Sequence, residues 1–366
     1  MLSMLPFRVP MLGHFPQRSR IFSRPVTLVM LALAAVCCGA KTPPERQPPQ
    51  PTSSDPDWRQ TEVTTSEVRL DEARPAHRRV GRARFRAGFS LRSNDPSFGG
   101  FSGLLVSGDQ LLAVSDQGHW WRATLRHDES GRLVGLENSE MAPLADLDGR
   151  PVAGRMRRDA EELAGVEGRL LVTFEGAHRS HVYRRAADSR PTPGPVPGGI
   201  QQAPTNGGME AVTHLPDGSL LIVAEDLLDE KGHLRAWLSD PARESWRVLA
   251  VDTDHEFKAT AASTLPNGDV ILLQRFWAAE QGVRVRLIRL AANELKQAAA
   301  AADDDAAKVV TGTELARLQP PLSVDNFEAL DIGLGPEGQT YAYILADDNY
   351  SADQRTLLFQ LELPVD

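Results

Sequence analysis

Cysteine is almost absent from this chain of 366 residues, because Cys37 and Cys38 are the only two. Both lie near the N-terminus, so a disulfide between distant strands of the remaining chain is excluded. The core of residues 61–366 must therefore be stable without a covalent cross-link. The chain is long enough to bury a core of that kind.

Several sequence signatures of common hydrolases are also missing. Gly100-Phe101-Ser102-Gly103 lacks the spacing of a nucleophile elbow, and Ser219 lies in a predicted hairpin turn. The sequence contains no phosphate-binding loop of the Walker type. Arg126-His127-Asp128 lacks the remainder of the histidine acid phosphatase signature. A serine hydrolase and a nucleoside triphosphatase are thereby disfavoured.

Positive charge is scarce outside the N-terminal segment. Residues 1–92 hold 15 basic and 7 acidic side chains, whereas residues 93–366 hold 25 basic and 42 acidic ones. An acidic domain repels nucleic acids and anionic membranes, so we expect neither as a partner. It also repels phosphorylated substrates unless a cation lies between them.

The N-terminus has the pattern of an export signal. Arg18, Arg20 and Arg24 precede an apolar run from Val26 to Val36, which is too short to span a bilayer comfortably. We predict a signal peptide over residues 1–40, with cleavage after Ala40 or a lipid anchor at Cys37 or Cys38. An uncleaved anchor or a buried strand is the alternative.

The segment after the signal is rich in proline, glutamine and serine. We interpret residues 41–60 as a tether and residues 61–366 as one domain. This organisation predicts an exported protein of the periplasm or the outer envelope, lipid-anchored if one of the two cysteines is acylated.

A repeated unit runs through residues 99–366. Each copy has a short apolar strand with a polar anchor near its start, a turn with glycine, and a second apolar strand that ends in polar residues. The anchors recur about every 50 to 70 residues at Ser102, Glu161, Glu210, Thr260 and Glu328. That period is typical of propeller blades, so the sequence predicts an all-β propeller.

The remaining segments predict the closing strands of the ring and an insertion. Glu62–Leu70 and Val80–Leu91, together with the C-terminal strands, predict a sixth blade that closes the ring, with five or seven blades as alternatives. Residues 293–307, rich in alanine, predict an exposed helix.

Acidic residues recur at equivalent positions of the repeat, where a propeller would bring them to one mouth of its channel. Mutual repulsion favours a bound cation, and hard oxygen ligands suit Ca²⁺. The candidate metal ligands are Asp116, Glu175, Glu225, Glu328, Asp347 and Asp348, with Asp325 nearby. The candidate catalytic residues are Glu161, Glu210 and Arg275, and the candidate substrate-binding residues are His178, Arg179 and Arg275.

Two alternatives involve no metal site. The acids would cap strands and form salt bridges across blades, and His178 and His181 would be ordinary loop histidines, since the sequence specifies no third ligand beside them.

An ordered set of short motifs resembles a family of bacterial exported propellers, described as esterase-like activity of phytase. The matching pieces run from residue 81 to residue 363 and include Phe98-Gly99-Gly100-Phe101-Ser102-Gly103-Leu104, Asn206-Gly207-Gly208-Met209-Glu210-Ala211, Asp325-Asn326-Phe327-Glu328 and Asp347-Asp348-Asn349. The resemblance implies a propeller fold and suggests hydrolysis of phosphoesters or esters.

Two departures from that family pattern concern the site. Glu162 and Ala329 stand where glycine is expected, and Lys258-Ala259-Thr260 replaces an acidic segment. The loss of the acidic residue from this segment could remove a metal ligand. The domain also has few lysines for a phytase, which needs cations around its phosphates.

Three functions are therefore open. The first is a calcium-assisted phosphoester or ester hydrolase acting on a small molecule. The second is a lactonase-type propeller hydrolase that uses one metal and an acid as base. The third is a non-catalytic envelope module that binds a ligand or a protein.

Overall fold

The computed structural model describes residues 58–154, 158–254, 256–301 and 309–364, and most of these residues lie in β-strands. The signal peptide predicted for residues 1–40 and nearly all of the predicted tether lie outside this range. Within it, no helix is long and apolar enough to cross a membrane.

The strands of the described ranges are, in chain order, β1 (Arg59–Gln60), β2 (Thr64–Glu67), β3 (Arg79–Val80), β4 (Ala83–Arg92), β5 (Phe101–Ser107), β6 (Gln110–Ser115), β7 (His119–His127), β8 (Leu133–Pro143), β9 (Ala160–Val166), β10 (Arg169–Phe174), β11 (Arg179–Tyr183), β12 (Thr192–Pro193), β13 (Met209–His214), β14 (Leu220–Leu228), β15 (Leu234–Ser239), β16 (Trp246–Val251), β17 (Lys258–Thr264), β18 (Val270–Ala278), β19 (Gly282–Leu290), β20 (Val309–Val310), β21 (Thr313–Leu318), β22 (Phe327–Leu334), β23 (Thr340–Ala346) and β24 (Thr356–Glu362). The helix α1 spans Ala292–Ala300, and a 3-10 turn spans Ile200–Gln202.

The strands form five sheets, and each sheet is one blade of a propeller. In blade order the sheets are β5-β6-β7-β8-β1, β9-β10-β11-β12, β13-β14-β15-β16-β20, β17-β18-β19-β21 and β22-β23-β24-β4-β2, with β3 paired to β4. The innermost strands β5, β9, β13, β17 and β22 contact one another in sequence, and β22 contacts β5. The prediction of an all-β propeller is confirmed.

The described residues form five blades, so the predicted sixth blade is wrong and the alternative of five is correct. Residues 58–92 carry no polar anchor of the repeat and supply no inner strand. Its strand β4 instead pairs with β24 and becomes the fourth strand of the last blade, with β2 outside it. Strands from both ends of the domain therefore close the ring, which leaves no unpaired edge on β24.

The hydrophobic core is divided among the interfaces between blades. Five buried clusters are found among the described residues, and each combines side chains of two neighbouring blades. At the interface of the first and last blades, for example, Phe101 and Trp121 pack with ring centroids 4.8 Å apart, in one cluster with Tyr341. Each blade is therefore stabilised by apolar contacts with its two neighbours, and these contacts take the place of disulfides.

Each inner strand carries a β-bulge at its repeated anchor. The pairing with the second strand shifts around Ser102, Glu161, Glu210, Thr260 and Glu328. A bulge places two residues opposite one and turns a side chain away from the ladder. The anchors recognised in the sequence are therefore the points at which the inner strands redirect a polar side chain.

Two carboxyl groups, the buried Glu162 and the half-buried Asp331, link the inner strands to one another. Glu162 of β9 accepts hydrogen bonds from the amides of Leu163 at 2.8 Å and Ala262 at 3.2 Å. Asp331 of β22 accepts one from the Val106 amide at 2.7 Å and one from the Ser263 hydroxyl at 2.6 Å. Glu162, where glycine was expected, thus connects β9 to β17, and Asp331 connects β22 to β5 and β17.

The predicted exposed helix is only partly exposed. Leu295 and Ala298 of α1 are buried against the third blade, and residues 302–308 of the predicted segment lie outside the described residues.

Candidate functional site

The acidic residues of the repeat meet at one mouth of the ring. Asp116, Glu175 and Asp347 each follow directly after the second strand of a blade, while Glu225 lies within β14. Because the second strand runs antiparallel to the inner strand, its end lies beside the start of that strand, where the bulges are. The topology therefore brings bulged anchors and strand-end acids together.

Two overlapping trios of carboxylates are close enough to hold a cation. One trio is Asp159, Glu161 and Glu175, and the other is Glu175, Glu210 and Glu225; in each, one oxygen from every residue lies within 4.8 Å of the others. Glu175 belongs to both trios. The second trio is fully buried, so its charge is not dispersed by water.

Glu175 is held by a glycine turn that precedes β13. The amides of Gly207 and Gly208 both donate to its Oε1, the second at 3.4 Å. A side chain on Gly208 would meet the buried ring of His178, since an added Cβ would lie 2.2 Å from Nδ1. His178 therefore backs the turn that positions Glu175.

Burial and mutual repulsion disfavour the charged form of these acids. Burial raises the pKa of Glu175 to about 7. Burial, followed by the neighbouring carboxylates, raises the pKa of Glu161 and of Glu210 well above the usual range. Glu210 lies within hydrogen-bonding reach of Glu175 and Glu225, so the three can share protons when no cation is bound.

A second group of acids lies on the side of the last blade. The Asn326 amide nitrogen donates to Glu328 at 2.9 Å and to Asp347 at 3.3 Å. Burial and the charge of Glu328 raise the pKa of Asp347 well above its usual value. Burial, with the charge of Asp159, does the same for the pKa of Asp116, whose buried Oδ1 has no hydrogen-bond partner among the described residues.

Two basic side chains on the fourth blade face the acids. Arg275 Nη2 lies 3.4 Å from Glu225 and 3.2 Å from Glu328. Lys258 Nζ lies 3.7 Å from Glu225 and 2.8 Å from Asp226. Burial by itself would lower the pKa of Arg275, but the carboxylates of Glu328 and Glu225 outweigh it and raise that pKa.

The other predicted site residues are placed around this cluster. Asp348 accepts hydrogen bonds from the Gly100 and Tyr350 amides and from the Thr356 hydroxyl, so it braces loops of the mouth. The guanidinium of Arg179 stacks on Phe174 at 4.2 Å. Asp325 pairs with Arg355 at 3.0 Å.

His178 and His181 belong to neither carboxylate trio. The prediction of loop histidines is wrong for His181, which lies within β11 and is buried. His181 is instead packed against Phe174, with ring centroids 4.8 Å apart.

Asp159 and Asn326 contribute to the site but were not among the candidate ligands, although each stands directly before an inner strand. That position is itself a signal, because residues just before the bulges must lie at the mouth. Lys258 was noted only as the loss of an acid, whereas the structure gives it two acidic partners.

The donor set of the two trios suits a hard cation. All of its donors are carboxylate oxygens, without sulfur or imidazole, which is the chemistry preferred by Ca²⁺ rather than by Zn²⁺. The unpartnered Oδ1 of Asp116 adds a further oxygen whose hydrogen-bonding capacity is unused by the described residues. The residues present therefore fit a bound calcium ion.

A polar groove begins beside the mouth. Its volume is about 620 Å³, and it lies between β2, β4 and the loop that precedes β24. Asp348 is one of its lining residues, together with Arg92, Asn94, Gln354 and Arg355 among others. The groove gives space for a polar molecule that extends from the mouth.

Comparisons with known proteins give only distant structural relatives and one extensive family match. No protein of curated function matches this sequence significantly. Similar solved structures include Myxococcus xanthus glutaminyl cyclase (13% identity, 74% of this chain, 93% of that chain, TM-score 0.35) and Bacteroides thetaiotaomicron endo-arabinase (12%, 73%, 94%, 0.42). The PQQ-bound aldose sugar dehydrogenase of Streptomyces coelicolor is a third (12%, 83%, 99%, 0.37). At such low sequence identities and TM-scores, these structural similarities say nothing about function.

The match to a protein family is much more extensive. The family model named Phytase-like, described as esterase-like activity of phytase, matches residues 96–350. This stretch is well over half of the chain, and it contains all five bulged anchors and both carboxylate trios. The chain belongs to the phytase-like family of propeller proteins.

Proposed function

We propose that this propeller is a calcium-assisted hydrolase of phosphoesters. The observation that supports this most directly is the position of Glu175, which belongs to two carboxylate trios beside a paired arginine. An oxygen-only cation site next to a guanidinium is suited to a phosphate group, because the cation and the guanidinium can neutralise it together.

In this proposal Glu175 and Glu225 hold the cation, with Asp159, Asp116, Glu328 and Asp347 as the surrounding carboxylates. Bound calcium would polarise the phosphate and lower the pKa of a neighbouring water. Arg275 binds a phosphate oxygen through its guanidinium, which is fixed between Glu225 and Glu328.

Glu161 and Glu210 handle the protons. Burial and the neighbouring carboxylates raise the pKa of both groups well above the usual range, so each holds a proton more readily than an ordinary carboxyl group does. We assign to a carboxylate oxygen of Glu161 the proton of the attacking water. The protonated carboxyl of Glu210 gives its proton to the leaving oxygen.

Hydrolysis of p-nitrophenyl phosphate, inositol hexakisphosphate and p-nitrophenyl acetate, with calcium or with a chelator, tests the proposal. We expect calcium-dependent release of phosphate that falls about 100-fold or more in Glu175→Gln. Glu137→Gln is the matched control, since Glu137 is an exposed glutamate of the first blade that pairs with Arg126.

The remaining outcomes would contradict the proposal. Hydrolysis of the acetate alone would indicate an ester or lactone hydrolase. No hydrolysis of any substrate, with calcium bound, would indicate a binding module.

We also propose that the protein is exported and acts in the periplasm or at the outer envelope. The arginines before the apolar run and the proline-rich segment after it support export. Mass spectrometry of the mature N-terminus tests this: a free Lys41 would indicate ordinary cleavage, and an acylated Cys37 or Cys38 a lipid anchor. An unprocessed cytoplasmic chain would contradict it.

A further inference from the structure

Glu225 has two sets of competing partners. On one side it lies in the trio with Glu175 and Glu210. On the other side it faces Arg275 at 3.4 Å and Lys258 at 3.7 Å. Glu225 is 7% exposed, so these nearby charges, rather than water, determine which contacts are favourable. A cation bound by the trio would compete with both basic side chains for the same carboxylate.

The fourth blade also has hydrogen-bond donors that the described residues leave unused. Thr260 is 2% exposed, and its hydroxyl has no hydrogen-bond partner among the described residues. It is the bulged anchor of β17, between the bulged Glu210 of β13 and Glu328 of β22, so it faces the same mouth. The buried Nε of Arg275 likewise has no partner within those residues.

These donors share the chemistry of an anion site. A hydroxyl, a guanidinium and an ammonium group converge from β17 and β18, where Lys258 lies directly opposite Arg275 in the ladder. Phosphate oxygens accept hydrogen bonds from all three types of donor. Lys258 is 43% exposed, so it can reach a ligand in the mouth without being pulled out of the core.

We propose that Lys258 is a second phosphate-binding residue and that Glu225 restrains it, together with Arg275, until a cation binds. This rests on the proposed function. When Glu225 directs its charge to the cation, its ion pairs with Lys258 and Arg275 weaken. Lys258 then keeps Asp226 at 2.8 Å and Arg275 keeps Glu328 at 3.2 Å, so both stay in place at the mouth with one acidic competitor fewer for the substrate's phosphate. The cation and the phosphate therefore bind with positive coupling, and each strengthens the other by the same factor.

Removing the basic side chain of Lys258 from the mouth should increase the affinity for calcium. Lys258→Gln removes a competitor for Glu225, so calcium alone binds more tightly than it does to the wild type. The same substitution removes a phosphate ligand, so the coupling between calcium and phosphate decreases. If Lys258 merely stabilised the fold, its loss would not tighten calcium binding.

The test is calorimetric titration of the mature protein with Ca²⁺, with and without methylphosphonate, a phosphate analogue that is not hydrolysed. In the wild type we expect methylphosphonate to tighten calcium binding at least fivefold, within the usual range of coupling between sites. In Lys258→Gln we expect less than a twofold effect, and a lower Kd for calcium alone. Arg126→Gln, which removes a basic side chain on the outer face of the first blade, should behave as the wild type.

The outcomes separate this inference from the function on which it rests. If calcium binds to the wild type and methylphosphonate has no effect, the coupling is refuted while the cation site stands. If the effect persists undiminished in Lys258→Gln, the assignment of Lys258 as a phosphate-binding residue is refuted. If calcium binds to neither protein, the proposed function fails and the coupling with it. Calcium binding to Lys258→Gln but not to the wild type would support competition between Lys258 and the cation for Glu225.

Discussion

Gly208 lies between Glu175 and His178, and its lack of a side chain allows both to keep their positions. Its amide donates to Glu175 on one side, while the buried histidine ring fills the space on the other. A glycine is therefore required here by close packing. The glycine pair was part of the family resemblance, but its contact with Glu175 spans more than 30 residues and could not be predicted from the sequence.

We predict that Gly208→Ala weakens calcium binding tenfold or more and lowers the free energy of unfolding by about 1–3 kcal/mol. The added methyl group would displace His178 or the turn that holds Glu175. Gly198→Ala is the matched control, because no atom lies within 4 Å of its added Cβ. Calorimetry and thermal melting measure the two effects, and equal behaviour of the variants would contradict this account of Gly208.

Other residues of the site were predictable to different degrees. The anchors Glu161, Glu210 and Glu328 were found because the repeat places them at one position in each blade. Lys258 was interpreted only as a missing acid, because its partners Glu225 and Asp226 lie more than 30 residues away in the chain. Spacing identifies equivalent positions, whereas an ion pair depends on how adjacent strands are registered.

At the scale of elements, the inner strands depend on two carboxyl groups as well as on apolar contacts. Glu162 accepts amide hydrogen bonds at the start of β9 and from β17, and Asp331 accepts from β5. The inner strands of adjacent blades belong to different sheets and share no backbone hydrogen bonds. Side-chain acceptors such as these therefore provide hydrogen bonds between them. In the sequence, Glu162 is only a departure from the expected glycine, because the sequence indicates no partner for it.

Glu162→Ala is expected to lower the free energy of unfolding by about 2–4 kcal/mol, because it leaves the buried amide of Ala262 without an acceptor. Glu162→Gln keeps one acceptor oxygen and should cost about half as much or less. Denaturation with urea measures both values. A loss in the alanine variant no larger than in the glutamine variant would show that the hydrogen bonds of Glu162 are unimportant.

The ionisation of Asp331 makes the free energy of unfolding depend on pH. Burial raises its pKa to about 6 from the ordinary 3.8, so the folded state binds this proton more tightly than the unfolded state does. Its contribution is therefore complete below about pH 4 and is lost as the pH rises through 6.

Asp331→Asn keeps an acceptor for Val106 and cannot ionise. We expect the wild type to lose on the order of 1–3 kcal/mol of stability relative to this variant between pH 4 and pH 7. Parallel urea denaturation at several pH values provides the comparison. A constant difference across that range would refute an ionisation of Asp331 in the folded protein.

At the scale of the whole molecule, closure of the ring determines which part of the chain can fold by itself. The repeat in the sequence was sufficient to predict a propeller, but it did not give the number of blades. The N-terminal strands look like a blade of their own, and only their pairing shows that β4 completes the last one. The family match covers residues 96–350 and therefore omits both β4 and β24, which form this closure.

A fragment of residues 96–350 is accordingly expected to be unfolded or aggregated, whereas residues 58–366 should melt cooperatively. Without β4 and β24 the last blade loses its outer strands and exposes the edge of β23 together with the buried face around Phe327. Circular dichroism and size-exclusion chromatography distinguish the two states. A monomeric fragment with a sharp melting transition would contradict the closure described here.

Calcium binding to the mature protein tests the central claim most directly. Calorimetry and thermal melting should be carried out on the wild type, Glu175→Gln and the control Glu137→Gln. We predict that calcium binds to the wild type and the control and raises their melting temperatures, and that both effects disappear in Glu175→Gln because Glu175 belongs to both trios. Absence of binding to a folded wild type, or equal binding by all three proteins, would contradict a cation site at the mouth of the propeller.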